Sequence, residues 1–158
     1  RNVGFEVEAR IDLRRIDDAL EGLTVGGNFT YVYSRVELTE MQAMAVTNAV
    51  RPLAGQSPWV ANVSVGYAPE ESPFGVYLFY NVFGPRLEEV GVNGLPDSYQ
   101  QPVHSVDLTA RWNVDEHLTL SLKGKNLLHQ RSRMTQGEFV VDGYDEGISI
   151  SLGASLEY

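Results

Sequence analysis

The residue types most often used for chemistry do not fall into a catalytic or metal-binding pattern. His104, His117 and His129 lack the i, i+4 spacing and the His-x-Glu sequence that would bring zinc ligands together. The chain has no cysteine and no Gly-x-Ser-x-Gly segment, so it has neither a thiol nucleophile nor the serine elbow of a hydrolase. The sequence therefore predicts a protein that is not an enzyme, with no metal site and no cofactor.

Charge and hydropathy exclude two further classes of protein, nucleic-acid binders and helical membrane proteins. The 158 residues carry a formal net charge of -9; a nucleic-acid binder needs a basic surface, so we expect no nucleic-acid partner. The longest stretch without a charge, 52–69, is interrupted by Gln56, Pro58 and Gly66, so it cannot form a spanning helix. The other polar side chains of the sequence suit ligand binding rather than catalysis. Whether they can act together depends on the secondary-structure elements that position them.

Those elements are predicted to be β-strands. Six segments alternate apolar and polar side chains with a period of two, which is typical of strands with one apolar face. A seventh, 74–83, is apolar on both faces, so its two sides cannot be told apart. Strands of about ten residues suit a tilted crossing of a bilayer, which needs roughly 9–11, better than a soluble sheet, where about five or six is usual. The six alternating segments are 5–13, 23–34, 59–67, 106–114, 118–123 and 148–158.

The connections alternate in length, and this favours an outer-membrane barrel. Short turns at 68–73 and 115–116 alternate with long loops at 35–57, 84–104 and 129–147. The connection 14–22 is moderately short, with one helical turn expected at its centre. Short turns at one end and long loops at the other are typical of such barrels. A soluble ligand-binding β-barrel or sandwich has similar strands and remains an alternative, as does a small outer-membrane barrel enzyme.

Small polar residues and aromatics agree with the membrane alternative. The polar faces of 23–34 and 148–158 carry mostly Ser, Thr, Asn and Gly rather than the Lys and Glu that protect soluble sheets. Aromatic side chains lie on the apolar faces near strand ends, where interfacial girdles form. These aromatics are Tyr31, Tyr33, Trp59, Tyr67, Trp112 and Tyr158.

Four segments, in order, resemble recurrent segments of the TonB-dependent outer-membrane receptors. Residues 51–67 are similar to an Arg-x-Leu-x-Gly-Gln-Ser-Pro run that leads into a strand. Residues 80–87 resemble Tyr-Asn-x-x-Gly-x-Arg-Ile, 106–108 resemble Leu-Asp-Leu, and 120–128 resemble a strand end with Lys-x-x-Asn-Leu-Leu. The resemblance extends over 4–158 and is to the C-terminal part of the barrel, not to the plug.

The resemblance implies a fold, a location and a function. The family barrel has about 22 strands around a plug, so residues 1–158 are expected to be its C-terminal segment: an all-β, antiparallel transmembrane β-barrel segment of about seven long strands, with short periplasmic turns and long external loops. The implied location is the cell outer membrane, in contact with its lipid. The implied function is import of a scarce nutrient, a small-molecule ligand such as a ferric siderophore, driven by the TonB system through a plug absent from this chain.

Polar residues on the strands are the candidate ligand-binding residues of the lumen. Asn28 and Asn62 lie on the polar faces of their strands, as do Thr30 and Ser64. Arg111 and Lys123 lie on the polar faces of neighbouring strands, where they could meet an anionic ligand or a plug carboxylate. Pairing with a strand neighbour such as Asp107 is the alternative role for these two cations.

The end of the chain resembles an assembly signal. Ser151, Gly153, Leu156 and Tyr158 match, in type and spacing, the C-terminal signal that the barrel-assembly machinery reads in Gram-negative bacteria. An edge strand with unpaired backbone groups can be recognised by another sheet edge, which gives the resemblance a physical basis. Phe is commoner than Tyr at the last position, and an ordinary amphipathic strand is the alternative.

Overall fold

The computed structural model describes residues 1–157, so Tyr158 lies outside the described residues. Residues 1–157 form thirteen strands and three short helical segments. The helical segments are two 3-10 turns, Leu13–Arg15 and Asp18–Leu20, and one α-helical turn, α1, Glu40–Ala43. The strands are β1 (Asn2–Asp12), β2 (Leu23–Ser34), β3 (Val36–Glu37), β4 (Val50–Arg51), β5 (Trp59–Tyr67), β6 (Phe74–Phe83), β7 (Arg86–Glu89), β8 (Ser98–Gln100), β9 (His104–Asn113), β10 (Leu118–Lys125), β11 (Arg131–Gln136), β12 (Phe139–Asp145) and β13 (Ser149–Leu156).

Seven long strands form one antiparallel sheet in the order β1-β2-β5-β6-β9-β10-β13. Each long strand pairs with the next long strand along the chain, so the sheet is an up-and-down meander, and it is not closed. The prediction of seven long strands in an all-β antiparallel segment is confirmed. The predicted bounds are those of β2, β5 and β6, whereas β1 and β9 begin earlier than predicted and β10 continues to Lys125.

The register sorts the side chains of all seven strands onto two faces. On one face Val25 lies opposite Val65, Val65 opposite Leu78, and Leu78 opposite Leu108. Because side chains alternate along a strand, this register assigns the sides of β6: Leu78 shares the apolar face, which we call the outward face. The neighbour Phe79 lies on the opposite, inward face with the polar residues of the other strands.

The outward face is a broad apolar surface. Many large apolar side chains on it are 36–83% exposed, far more than a soluble sheet would leave in water. On β2 its apolar residues extend from Leu23 to Tyr33, which is about 33 Å along the strand and about 25 Å across a membrane at a tilt near 40°, the height of an apolar barrel band. The predicted aromatics lie near the ends of this band: Trp59 begins β5 and Tyr67 ends it, and Phe74 stacks on Trp112 with centroids 5.4 Å apart.

The short turns lie at one end of the sheet, which we call the turn end, and the long loops lie at the other, the loop end. The expected helical turn in the first connection is two 3-10 turns, where Asp12 accepts from the Arg14 N–H and Asp17 from the Ala19 N–H. Asp115 closes the last short turn by accepting the N–H groups of His117 and Leu118, both at 2.8 Å.

The long loops contain a second sheet that the sequence pattern did not predict. Strands β7, β8, β11 and β12, from the second and third long loops, form a four-stranded antiparallel sheet in the order β12-β11-β8-β7. We call it the loop sheet. Its strand β7 contains Leu87, the one large side chain among residues 1–157 that is fully buried. The first long loop adds the two-residue pair β3–β4. The loops at this end therefore contain regular secondary structure and one buried apolar side chain rather than irregular chain.

Candidate functional site

A row of three asparagines crosses the inward face. The register places Asn28 of β2 opposite Asn62 of β5, and Asn62 opposite Asn81 of β6. Asn62 Nδ2 donates to Asn28 Oδ1 at 2.6 Å, and Asn81 Nδ2 donates to Asn62 Oδ1. Each amide keeps a second N–H or a second lone pair for another partner. The row therefore presents both donors and acceptors to whatever occupies the space in front of the sheet.

The predicted residues Asn28 and Asn62 are thus brought together, and Asn81 is the member that the sequence analysis missed. Residues 74–83 are apolar on both faces, which hid the side on which Asn81 lies. No signal within 74–83 assigned the side, because Asn81 shares it with Phe79 and Phe83 while Tyr80 and Val82 are equally apolar. Thr30 and Ser64 also lie on the inward face, two residues after Asn28 and Asn62 along their strands.

Glycines open a hollow around the asparagine row. Gly26 and Gly66 lie on the inward face of β2 and β5 and line the hollow with Ser64 and Tyr77. The Tyr77 ring covers Gly66 so closely that a Cβ there would lie 2.6 Å from two ring carbons. Because glycine has no side chain, the Tyr77 ring can lie against the backbone of β5, and space remains beside the ring.

Arg111 and Lys123 lie on the inward face but on other strands. The register pairs Arg111 with Ser121 and Lys123 with Thr109, so the two cations are diagonal neighbours on β9 and β10. Arg111 Nε donates to Asn113 Oδ1 at 3.0 Å. Within residues 1–157 neither cation pairs with a carboxylate, which leaves both charges available to a ligand.

Within residues 1–157 Asp107 forms an ion pair with neither of these cations. Asp107 Oδ1 accepts from the hydroxyl of Ser105 at 2.9 Å and from the backbone N–H of Asn126 at 3.0 Å. The carboxylate is therefore bonded to Ser105 of β9 and to the residue that follows β10. Its role is to fix the start of the third long loop.

A second recess lies above the first, at the loop end. It shares Asn81 with the lower hollow and is lined by the inward face of the loop sheet. Arg86 Nε donates to Gln100 Oε1 at 2.6 Å, and Gln100 Nε2 donates to Ser132 Oγ at 2.8 Å. The Arg86 guanidinium also lies 4.9 Å from the centroid of the Phe83 ring. Glu88 Oε2 lies 3.8 Å from Arg86 Nε, and Glu146 also lines the recess. The recess thus combines a positioned cation, a carboxylate and an aromatic surface.

Asn126 fixes the floor of this upper recess. Its side chain is buried and bonds three backbone groups: the Gln130 N–H, the Gln130 carbonyl and the Gly147 carbonyl. Its φ of 51° lies in the left-handed region, where asparagine is better tolerated than most residues. This one residue therefore ties both ends of the third long loop.

Asp97 ties the first two long loops together. It is 5% exposed; Oδ1 accepts from the Gly91 N–H at 2.8 Å and Oδ2 from Asn48 Nδ2 at 2.9 Å. Burial, with the charge of Asp97, raises the pKa of the nearby Tyr99 hydroxyl. A buried carboxylate with two donors is costly to disturb, so the link between the first two long loops is held in one arrangement.

Asp145 is the centre of a charged group on the loop sheet. Its Oδ1 accepts from the Gly147 N–H at 2.9 Å and lies 3.0 Å from His129 Nε2, and its Oδ2 lies 2.8 Å from Arg131 Nε. The Gly147 N–H holds the pKa of Asp145 below its ordinary value, and the charges of His129 and Arg131 act in the same direction. The carboxylate is therefore ionised under ordinary conditions.

The residues of the predicted assembly signal lie on the sheet's last strand. Ser151 and Gly153 lie on the inward face of β13 and Leu156 on the outward face, opposite Leu118. Every residue of β13 is exposed, and its far edge has no partner strand among residues 1–157. Tyr158, the fourth member, lies outside the described residues.

Two further findings concern ligands and helices. Within residues 1–157 no three His, Asp or Glu side chains are grouped so that they could hold a metal ion. Over the same residues, every helix is too short or too polar to cross a membrane.

The two faces define a class of protein. A long-stranded meander that is apolar outside and polar inside, with short turns at one end and packed loops at the other, is a wall segment of a binding or transport barrel. The family model described as "TonB dependent receptor-like, beta-barrel" matches residues 1–127, and the chain belongs to this family. The family is one of outer-membrane receptors and transporters rather than enzymes. No curated protein and no solved structure matches the chain.

Proposed function

We propose that this chain is the C-terminal barrel portion of a TonB-dependent receptor that imports a ferric siderophore across the cell outer membrane. The observation that carries the proposal is the asparagine row on the inward face, which leads into a recess with one positioned arginine. Family membership supplies the class of transporter. The inward face supplies the polar surface that a small ligand needs along its route.

The upper recess offers a ligand both a cation and ring surface. Arg86 offers its remaining N–H groups, Phe83 and Tyr144 offer ring surface, and the Glu146 carboxylate lines the same recess. Ferric siderophores of the catecholate type would suit the arginine and the rings, because their iron-binding oxygens are phenolates carried on aromatic rings. Below the recess, Asn81, Asn62 and Asn28 continue the polar surface, and Arg111 and Lys123 add two unpaired cations further along the wall.

The remainder of the barrel and a plug complete the proposed transporter. The open sheet of residues 1–157 leaves the far edges of β1 and β13 unpaired. We propose that further strands pair with both edges, and that the TonB system acts on a plug facing the inward surface. On this proposal Ser151, Gly153, Leu156 and Tyr158 present the last strand to the barrel-assembly machinery before the sheet closes.

Uptake of radiolabelled iron tests this function. The source bacterium, with the gene for this receptor deleted, is supplied with single ferric siderophores and complemented with the parent gene or with Arg86→Gln. We expect one ferric siderophore whose uptake depends on the gene and on an active TonB system, and whose half-saturating concentration rises with Arg86→Gln. Val92→Gln, a change at an exposed position of the second long loop, is the matched control.

The outcomes distinguish the claim that the protein is an energised transporter from the claim that its ligand is a ferric siderophore. Uptake of a cobalamin or a glycan that depends on the gene would keep the transporter and reject the siderophore. Growth and uptake that are independent of TonB for every substrate would reject energised import altogether.

A further inference from the structure

The two faces of the loop sheet differ in charge. Ser132 and Gln100 line the upper recess together with Asn81, so their side of the loop sheet is the inward one. Side chains alternate along a strand, so Arg131, Arg133 and Gln101 lie on the opposite side, where they line a separate hollow with His129 and Thr135. On the inward side Arg86 and Glu146 line the recess, whereas Asp145 lies on the outward side with Arg131. The strands therefore place Arg131 and Arg133 outward.

We call Arg131 and Arg133, with the adjacent His129, the cationic patch; Asp145 balances the charge of Arg131, so Arg133 carries the net positive charge. Arg131 and His129 are oriented by their shared partner Asp145, at 2.8 and 3.0 Å. Arg133 forms no ion pair within residues 1–157. The Arg131 side chain is 64% exposed, so its remaining N–H groups face solvent. In a chain of net charge -9, such a grouping cannot arise from a general excess of basic residues.

The position of the patch relative to the outward face is set by β9. His104 begins β9 on the outward face opposite Val82, and its Nδ1 lies 2.7 Å from the hydroxyl of Tyr80. Gln101 and Pro102, three and two residues before it, line the hollow of the cationic patch. Moving toward the loop end, the outward surface is therefore apolar, then aromatic, and then cationic.

This order matches the layers of a bilayer surface. Hydrocarbon is followed by an interfacial layer in which Tyr side chains concentrate, and then by the charged groups of the lipid heads. Arg binds phosphate through a fork of N–H donors. The patch faces away from the inward surface, so a ligand passing through the barrel would not meet it.

We propose that the cationic patch binds the phosphate groups of outer-leaflet lipids and so anchors the loop sheet to the membrane surface. The inference rests on the proposed placement of the chain in the outer membrane and adds a lipid site to it. Arg133 supplies the free cation, and Arg131 is positioned for the same headgroup by Asp145.

The test uses the intact receptor that contains this segment, purified in a neutral detergent. The probes are bisphosphorylated lipid A and the same lipid without its phosphates, and native mass spectrometry measures the fraction of receptor that retains each lipid. The variants are Arg133→Gln and the double variant Arg131→Gln, Arg133→Gln. Arg111→Gln is the matched control, because it removes the same charge from the inward face.

We expect the phosphorylated lipid to bind more tightly than the dephosphorylated one. Each patch substitution should weaken its binding about fivefold at low salt, since a basic residue near a lipid surface contributes about that factor, and Arg111→Gln should leave it unchanged. Salt should reduce the difference between the two lipids. Heat-modifiable migration confirms that every variant is folded.

Several results would overturn the lipid site. One is equal retention of the two lipids. Another is an Arg111→Gln effect as large as that of the patch variants. Displacement by inorganic phosphate at an equal phosphate concentration would assign the patch to a soluble anion instead. A folded receptor extracted from the outer membrane that gives any of these results still leaves the transport function standing, whereas a receptor not found in that membrane would reject the transport function itself.

Discussion

An arginine on the outward face should destabilise the barrel far more than one on the next residue. Val63 lies at the centre of β5, four residues from Trp59 and four from Tyr67, the two aromatics at the ends of the apolar band. Four residues are about 13 Å along a strand, or about 10 Å of depth at a tilt near 40°. Val63 is 46% exposed, so its side chain would face lipid near the bilayer midplane.

The magnitude follows from that depth. Val63→Arg should lower the free energy of unfolding by about 2–4 kcal/mol, the cost of a cation near the midplane. Ser64→Arg should cost about 0–1 kcal/mol, because Ser64 lines the inward hollow and the guanidinium would stay in a polar space. Leu120→Arg should also be mild, at about 0–1 kcal/mol, because Leu120 lies opposite Trp112 near the turn end, at the depth of the interface.

Equilibrium unfolding of the receptor in lipid vesicles measures all three variants. The predicted order is a large loss for Val63→Arg and small losses for the other two. Equal losses at positions 63 and 64 would mean that the two faces have the same surroundings. A larger loss at Ser64 would mean that the inward face is packed or faces lipid, and the assignment of faces would be refuted.

Four other changes test separate parts of the structure. Asn62→Leu removes both hydrogen bonds of the asparagine row and should lower the free energy of unfolding by about 1–3 kcal/mol. Asn28→Leu removes only one of them and should cost less. Equal costs would show that the three asparagines are not bonded in a row. Gly66→Ala should lower the free energy of unfolding by about 1–3 kcal/mol, because the new Cβ would displace the Tyr77 ring. Gly75→Ala should be tolerated, because the nearest atom to a Cβ at position 75 is the Ala68 Cβ, 3.4 Å away. The denaturation midpoints of the two variants compare these costs. Because the pKa of Asp145 is lowered in the folded protein, its contribution to loop stability is present above the ordinary carboxylate pKa and is lost as the pH falls through the lowered one; hydrogen exchange in 126–148 should increase there, and Asp145→Asn should remove that transition. Tyr158→Asp should reduce the amount of heat-modifiable receptor in the outer membrane at matched expression while Tyr158→Phe does not, and normal insertion of the Asp variant would reject the assembly signal.

The seven long strands were predictable because each faces two different surroundings. A strand with lipid on one side and polar groups on the other alternates with period two, and that pattern gave the bounds of β2 and β5 directly. The face of β6 was not predictable, since Tyr77 and Phe79 place aromatic rings on the inward side, where one ring covers a glycine. Only the register with its neighbours assigns it.

The loop sheet was not predictable for a different reason. Its strands are only three to seven residues long and come from two loops far apart in sequence, so their pairing depends on tertiary contacts that leave no periodic signal. Arg86, Gln100 and Ser132 consequently gave no sign that they form one hydrogen-bonded line. By contrast, Asn28 and Asn62 could be predicted as inward, because each lies in a strongly alternating strand.

Spin labels along β5 test the central claim most directly. The chain has no cysteine of its own, so single cysteines at positions 60–65 can carry a label in the receptor reconstituted in lipid, with any cysteine elsewhere in the receptor replaced by serine. Collision rates with oxygen, which concentrates in the hydrocarbon, and with a water-soluble nickel complex report the surroundings of each label. A barrel wall predicts alternation with a period of two: oxygen dominates at 61, 63 and 65, and the nickel complex at 60, 62 and 64. Equal access of the nickel complex to both sets would show that the outward face does not face lipid, and would contradict the account.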